Sequence, residues 1–64
     1  MPKYDITVKL LGEDGNAYAI LSRVSRAMKS GGVPQEEIDV FCEEATSEDY
    51  DHLLQTVMEW VEVD

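Results

Sequence analysis

The chain has 64 residues and a formal net charge of −9. At that length it reads as one domain, 1–64, which buries only roughly 60% of its unfolded surface. Its longest apolar stretch, Ala17 to Leu21, is far short of the ~20 residues a membrane span requires, so no membrane partner is expected.

Cys42 is the only cysteine, which leaves no internal disulfide and fits a reducing compartment. The opening Met1-Pro2-Lys3-Tyr4-Asp5 has no apolar run or cleavage site of a secretory leader. A cytoplasmic location is the expectation.

In chain order, the first element is a strand. From Tyr4 to Leu11 the residues alternate, with Tyr4, Ile6, Val8 and Leu10 on one face and Asp5, Thr7, Lys9 and Leu11 on the other. Gly12-Glu13-Asp14-Gly15 reads as a turn and Asn16 as a helix N-cap. Ala17, Ile20, Leu21, Val24, Ala27 and Met28 then recur at helical spacing up to Ser30-Gly31-Gly32, where a glycine suits the C-terminal cap. Arg23, Arg26 and Lys29 lie in the half of this helix where cations complement its dipole.

A second helix opens with Pro34 at its first position and Glu36 and Glu37 in its first turn. Ile38, Phe41, Cys42 and Ala45 form its apolar stripe, with Val40 to one side, and it stops near Thr46. Ser47, or Thr46, is expected to cap a third helix whose apolar face is Tyr50, Leu53, Leu54, Val57 and Met58. From Trp60 the period changes, and Trp60-Val61-Glu62-Val63-Asp64 reads as a short strand; continuation of the helix to Val61 is the competing reading.

The fold class is therefore α+β, a β-α-α-α-β domain with three helices packed on a two-stranded sheet. Parallel and antiparallel pairing are both open at this point. So small a sheet has open edges, and an open edge invites pairing with another chain. Self-association as a homodimer is one expectation.

The charge is unevenly placed. Residues 1–32 carry five basic and three acidic side chains, hence +2; residues 33–64 carry eleven carboxylates and no lysine or arginine, hence −11. Nucleic-acid affinity comes mostly from phosphate contacts by lysine and arginine. The third helix, which would have to be the recognition element of a helix-turn-helix, has neither and carries Glu48, Asp49, Asp51 and Glu59. Direct binding to nucleic acid is disfavoured, and the patch Arg23, Arg26, Lys29 reads as dipole-complementing surface.

Two acidic stretches have the chemistry of hard cation ligands. Gly12-Glu13-Asp14-Gly15-Asn16 lacks the spacing of a calcium loop and is accounted for as a turn with a cap. Residues 43–52 gather Glu43, Glu44, Glu48, Asp49, Asp51 and His52 around a helix junction, without a diagnostic ligand spacing. The simpler reading is a solvated surface with acids at a helix N-terminus.

His52, four residues after Glu48, is the one residue with the titration range of a general base. No nucleophile accompanies it. Cys42 falls on an apolar stripe with no cation nearby in sequence, the setting of an inert small hydrophobe. No catalytic residue and no cofactor is assigned, and the chain reads as a non-enzyme. Of the aromatic residues, Tyr18 and Trp60 depart from the apolar stripes and are the expected anchors if a partner surface exists.

Residues 8–17 (VKLLGEDGNA) and 45–61 (ATSEDYDHLLQTVMEWV), with Arg23 and the Gly32-Val33 turn, resemble a group of small uncharacterised bacterial and bacteriophage-encoded proteins. The resemblance covers nearly the whole chain. It implies a bacterial or phage setting and carries over no site residue.

The functional expectation is a non-enzymatic acidic module that acts through a protein partner or its own dimer, with a partner surface of Tyr18, Trp60, Glu43, Glu44, Glu48, Asp49 and Asp51. In a sharper version the acidic half imitates nucleic-acid phosphates and blocks a basic groove on another protein. The alternative is a small metal- or ligand-binding domain that uses the acidic junction 43–52.

Overall fold

The computed structural model describes residues 2–9 and 17–64. Its elements are β1 (Thr7–Val8), α1 (Ala17–Ser30), α2 (Gln35–Ala45), α3 (Tyr50–Trp60) and β2 (Glu62–Val63), the β-α-α-α-β order expected of a small α+β fold.

The alternation in the first segment sets side-chain direction more than strand length. Val8 is buried and Tyr4 and Ile6 are half-buried, while Asp5, Thr7 and Lys9 face outward. Among the described residues, only Thr7 and Val8 of this segment form a ladder with the partner strand, which is itself two residues long. Leu10 and Leu11, the Gly12–Gly15 turn and the Asn16 cap lie outside the described residues.

The strands pair in parallel, Thr7 beside Glu62 and Val8 beside Val63. The Glu62 and Asp64 N–H groups donate to the Ile6 and Val8 carbonyls at 2.8 and 2.9 Å. Upstream of β1, the Lys3 and Tyr4 N–H groups donate to the Glu59 and Trp60 carbonyls at 2.8 and 2.9 Å. Residues 3–8 thus strap the end of α3, satisfying carbonyls that a helix C-terminus leaves unpaired.

α1 ends where Gly31 and Gly32 stand. Gly32 has φ +88°, the Gly32 N–H donates to Lys29 O at 3.1 Å, and the Val33 N–H donates to Met28 O at 3.0 Å. These are the two crossed bonds of a Schellman cap, with glycine in the left-handed position and buried Val33 over buried Met28. Gly31 answers a different need: a Cβ there would stand 2.7 Å from Ile6 Cδ1.

Two expected caps move by a residue or two. Pro34 is the N-cap of α2, not its first helical residue; its ψ of 147° is extended and its carbonyl accepts from Glu37 and Ile38. Asp49, rather than Ser47 or Thr46, caps α3, its Oδ1 accepting the His52 N–H at 2.9 Å. Thr46 and Ser47 are drawn away because their hydroxyls cap the preceding helix.

The core lies among the three helices, and the strand pair closes it. Val24, Met28, Phe41, Ala45, Val57 and Val61 are fully buried. α2 packs on α1 and α3, β1 meets α1, and β2 meets α3. The buried face of α3 is Leu53, Thr56, Val57 and Trp60, rotated from the expected stripe, so Met58 and Tyr50 are exposed. Thr56 is buried without cost to its hydroxyl, which donates back to the His52 carbonyl at 2.8 Å. Among the described residues, no helix is long and apolar enough to cross a membrane.

Candidate interaction surface at the helix junction

The α2–α3 junction is built from short-range capping. Helix α2 ends with carbonyls that have no successor N–H, and nearby polar side chains supply the donors. Thr46 Oγ1 donates to Cys42 O at 2.7 Å and Ser47 Oγ to Glu44 O at 2.8 Å. His52, reaching back from the first turn of α3, donates from Nε2 to Glu44 O at 3.1 Å.

A carbonyl oxygen only accepts, so this bond places the hydrogen on Nε2. That nitrogen is then a donor toward Ser47 Oγ, 3.4 Å away, and is not poised to take its proton. The geometry makes His52 a fastener between two helices. Cys42, half-buried on α2, lies 3.4 Å from Ser25 Oγ on α1 and packs against the core.

These caps aim the acids outward. Glu43, Glu44, Glu48, Asp49 and Asp51 are all exposed, and among the described residues none meets a lysine or arginine. Glu44 Oε2 stands 3.9 Å from His52 Nε2. Among the described residues no three His, Cys, Asp or Glu side chains come together as metal ligands. The Gly12–Asn16 stretch lies outside the described residues.

Beside the acids runs a shallow groove of about 220 Å³, where the start of α1, the end of α2 and the start of α3 meet. Its lining combines buried Ala45 and Leu53 and half-buried Leu21 with the exposed Tyr18, Tyr50, Glu48 and Asp49. Tyr18 is 80% exposed and Tyr50 39%. The spacing places Tyr50 in the core, but the rotation of α3 that buries Thr56 and Trp60 leaves it at the edge of the buried face.

Trp60 is not part of this surface. Only 8% exposed, it packs edge-on against Phe41 with ring centroids 5.6 Å apart and tilted against Tyr4 at 6.0 Å. Lys3 Nζ covers its outer face 4.2 Å from the ring centroid, a cation–π contact. The period change at Trp60 reflects the end of α3, where the last helical residue still faces inward.

Lys3 also pairs with Glu37 at 2.9 Å, and the Tyr4 hydroxyl donates to the same Glu37 oxygen at 3.1 Å. These two hydrogen bonds, with the Lys3 charge, hold Glu37 below its ordinary 4.5. Lys3 is raised by its bond to Glu37, and Tyr4 is raised by burial and then by Glu37.

Because the folded Glu37 value is depressed, its stabilisation is present above the ordinary carboxylate range and lost as pH falls through the folded value. Lys3 and Tyr4, being raised, contribute below their ordinary values of 10.5 and 10.0 and lose that contribution as pH rises through the folded ones. Glu37→Gln is therefore expected to be less stable than the parent near neutrality, with the gap closing in acid. Urea midpoints read by Trp60 fluorescence, at neutral pH and below the folded Glu37 value, check this; a gap that stays constant contradicts it.

The basic residues of α1 face elsewhere. Arg23 and Arg26 border a separate shallow depression on the outer side of α1, with Ala19, Ser22 and Ser30. Comparison with protein-family models, curated proteins and solved structures returned no match.

Proposed function

We propose that the chain is a non-enzymatic acidic interaction domain that engages a basic partner protein through the α2–α3 junction. The observation that carries this reading is the set Glu43, Glu44, Glu48, Asp49 and Asp51, outward-facing and without a lysine or arginine partner among the described residues. It stands next to the exposed ring of Tyr18. Like charges held together on one face raise a field that steers an oppositely charged partner. Imitation of nucleic-acid phosphates is the sharper form of this reading, and a bacterial or phage-infected cytoplasm its setting. Self-association through the short strand edges is the form it takes if the partner is a second copy.

Affinity capture on the intact chain tests the proposal. Captured partners are expected to be basic and to dissociate between about 0.1 M and about 1 M salt, as the screening length falls from about 10 to about 3 Å. Neutral partners, or binding indifferent to salt, would overturn it. Sedimentation at both salt levels shows whether the partner is a second copy.

A further inference from the structure

We infer that the groove between Tyr18 and Tyr50 receives an arginine side chain from an extended segment of the partner; this rests on the acidic-partner reading above. Three features converge there. Leu21, Ala45 and Leu53 make part of the groove apolar, which suits the methylene stem of a long side chain. Its lining includes two tyrosines, one largely and one partly exposed, the side chains that bind a cation through their rings. The lining also includes two acids: Glu48 is exposed, and Asp49 is held in place by accepting the His52 N–H. A volume of about 220 Å³ suits one long side chain rather than a folded surface.

Arginine fits this combination better than lysine. Its guanidinium is planar, stacks on aromatic rings and pairs with a carboxylate through two parallel N–H bonds, whereas an ammonium is a compact and strongly hydrated point charge. A flat basic surface would reach the outer acids but not the apolar part of the groove. The occupant is thus an arginine presented on a flexible or extended stretch.

The test is an amide NMR titration of the intact chain with a blocked peptide of arginines alternating with glycines, beside its lysine and citrulline counterparts. The arginine peptide is expected to shift Tyr18, Leu21, Ala45 and Tyr50 saturably, lysine more weakly, and neutral citrulline not at all. Tyr18→Ser should weaken binding about tenfold and Tyr18→Phe should retain it, with far-UV circular dichroism checking that each variant is folded like the parent.

Several results would overturn the groove. Shifts spread over Glu43, Asp51 and the other acids and indifferent to Tyr18→Ser would remove it while leaving the acidic-partner reading intact. Equal response to lysine would do the same. No response to either cationic peptide removes the groove, and with salt-indifferent capture both proposals fall. Shifts at these amides that appear on concentrating the protein alone would assign the groove to a second copy instead.

Discussion

Phe41→Ala is expected to lower the unfolding free energy by about 3–5 kcal/mol, the usual cost of emptying a buried aromatic site. Phe41 is fully buried at the centre of the three helices and meets Trp60 edge-on. The ring, carried on α2, packs against Trp60 at the end of α3, so its removal empties the contact between these two helices. A 64-residue chain has roughly 3–10 kcal/mol of stability in total, at about 0.05–0.15 kcal/mol per residue. The substitution therefore takes between about a third and all of it. Far-UV circular dichroism with urea should show a midpoint far below the parent's, or a chain unfolded in buffer. Trp60, the only tryptophan, reports the same event by fluorescence. A midpoint close to the parent's would mean that the three helices do not share this core.

Gly32→Ala is expected to cost about 1–2 kcal/mol, because a Cβ in the left-handed region meets the following carbonyl. None of the described residues stands within 4 Å of a Cβ at this site, so the cost is backbone conformation and not crowding. The neighbouring Gly31 is the internal control. Its Cβ would stand 2.7 and 3.1 Å from the Ile6 side chain and 3.4 Å from the Ala27 carbonyl oxygen, but its φ lies outside the left-handed region, so the cost there is a shift of one side chain and not of the backbone. Gly31→Ala should therefore lower the urea midpoint clearly less than Gly32→Ala. The reverse order would show that the turn into α2 is not the Schellman cap that the Gly32 and Val33 bonds describe.

Both effects trace to features of different visibility. Phe41 stood out from spacing alone, since it falls in step with Ile38 and Ala45, and all three are buried. The glycine pair marked the end of α1, but which glycine takes positive φ depends on how Val33 folds back over Met28. The outward direction of the acids was readable because carboxylates without partners stay in water.

The proposed partner surface was legible only in part. Tyr18 stood off the apolar stripe and is exposed; Trp60 also broke the pattern but is buried. The difference is the strap at residues 3–8, which places Lys3 and Tyr4 against Trp60 through contacts more than fifty residues apart in sequence. Tyr50 and Met58 missed their expected burial because α3 is rotated toward Thr56 and Trp60. A threonine that bonds its own helix backbone is a buried residue that hydrophobic spacing does not reveal.

Local chemistry was sufficient for the order of elements, the helix ends within a residue or two, and the charge that faces solvent, since periodicity, caps and glycine act over a few residues. The parallel pairing of β1 with β2, the burial of Trp60 and the groove at Tyr18 and Tyr50 arise only when the chain ends and all three helices meet. Those contacts join residues distant along the chain, and no short stretch of sequence encodes which of its faces another stretch will cover.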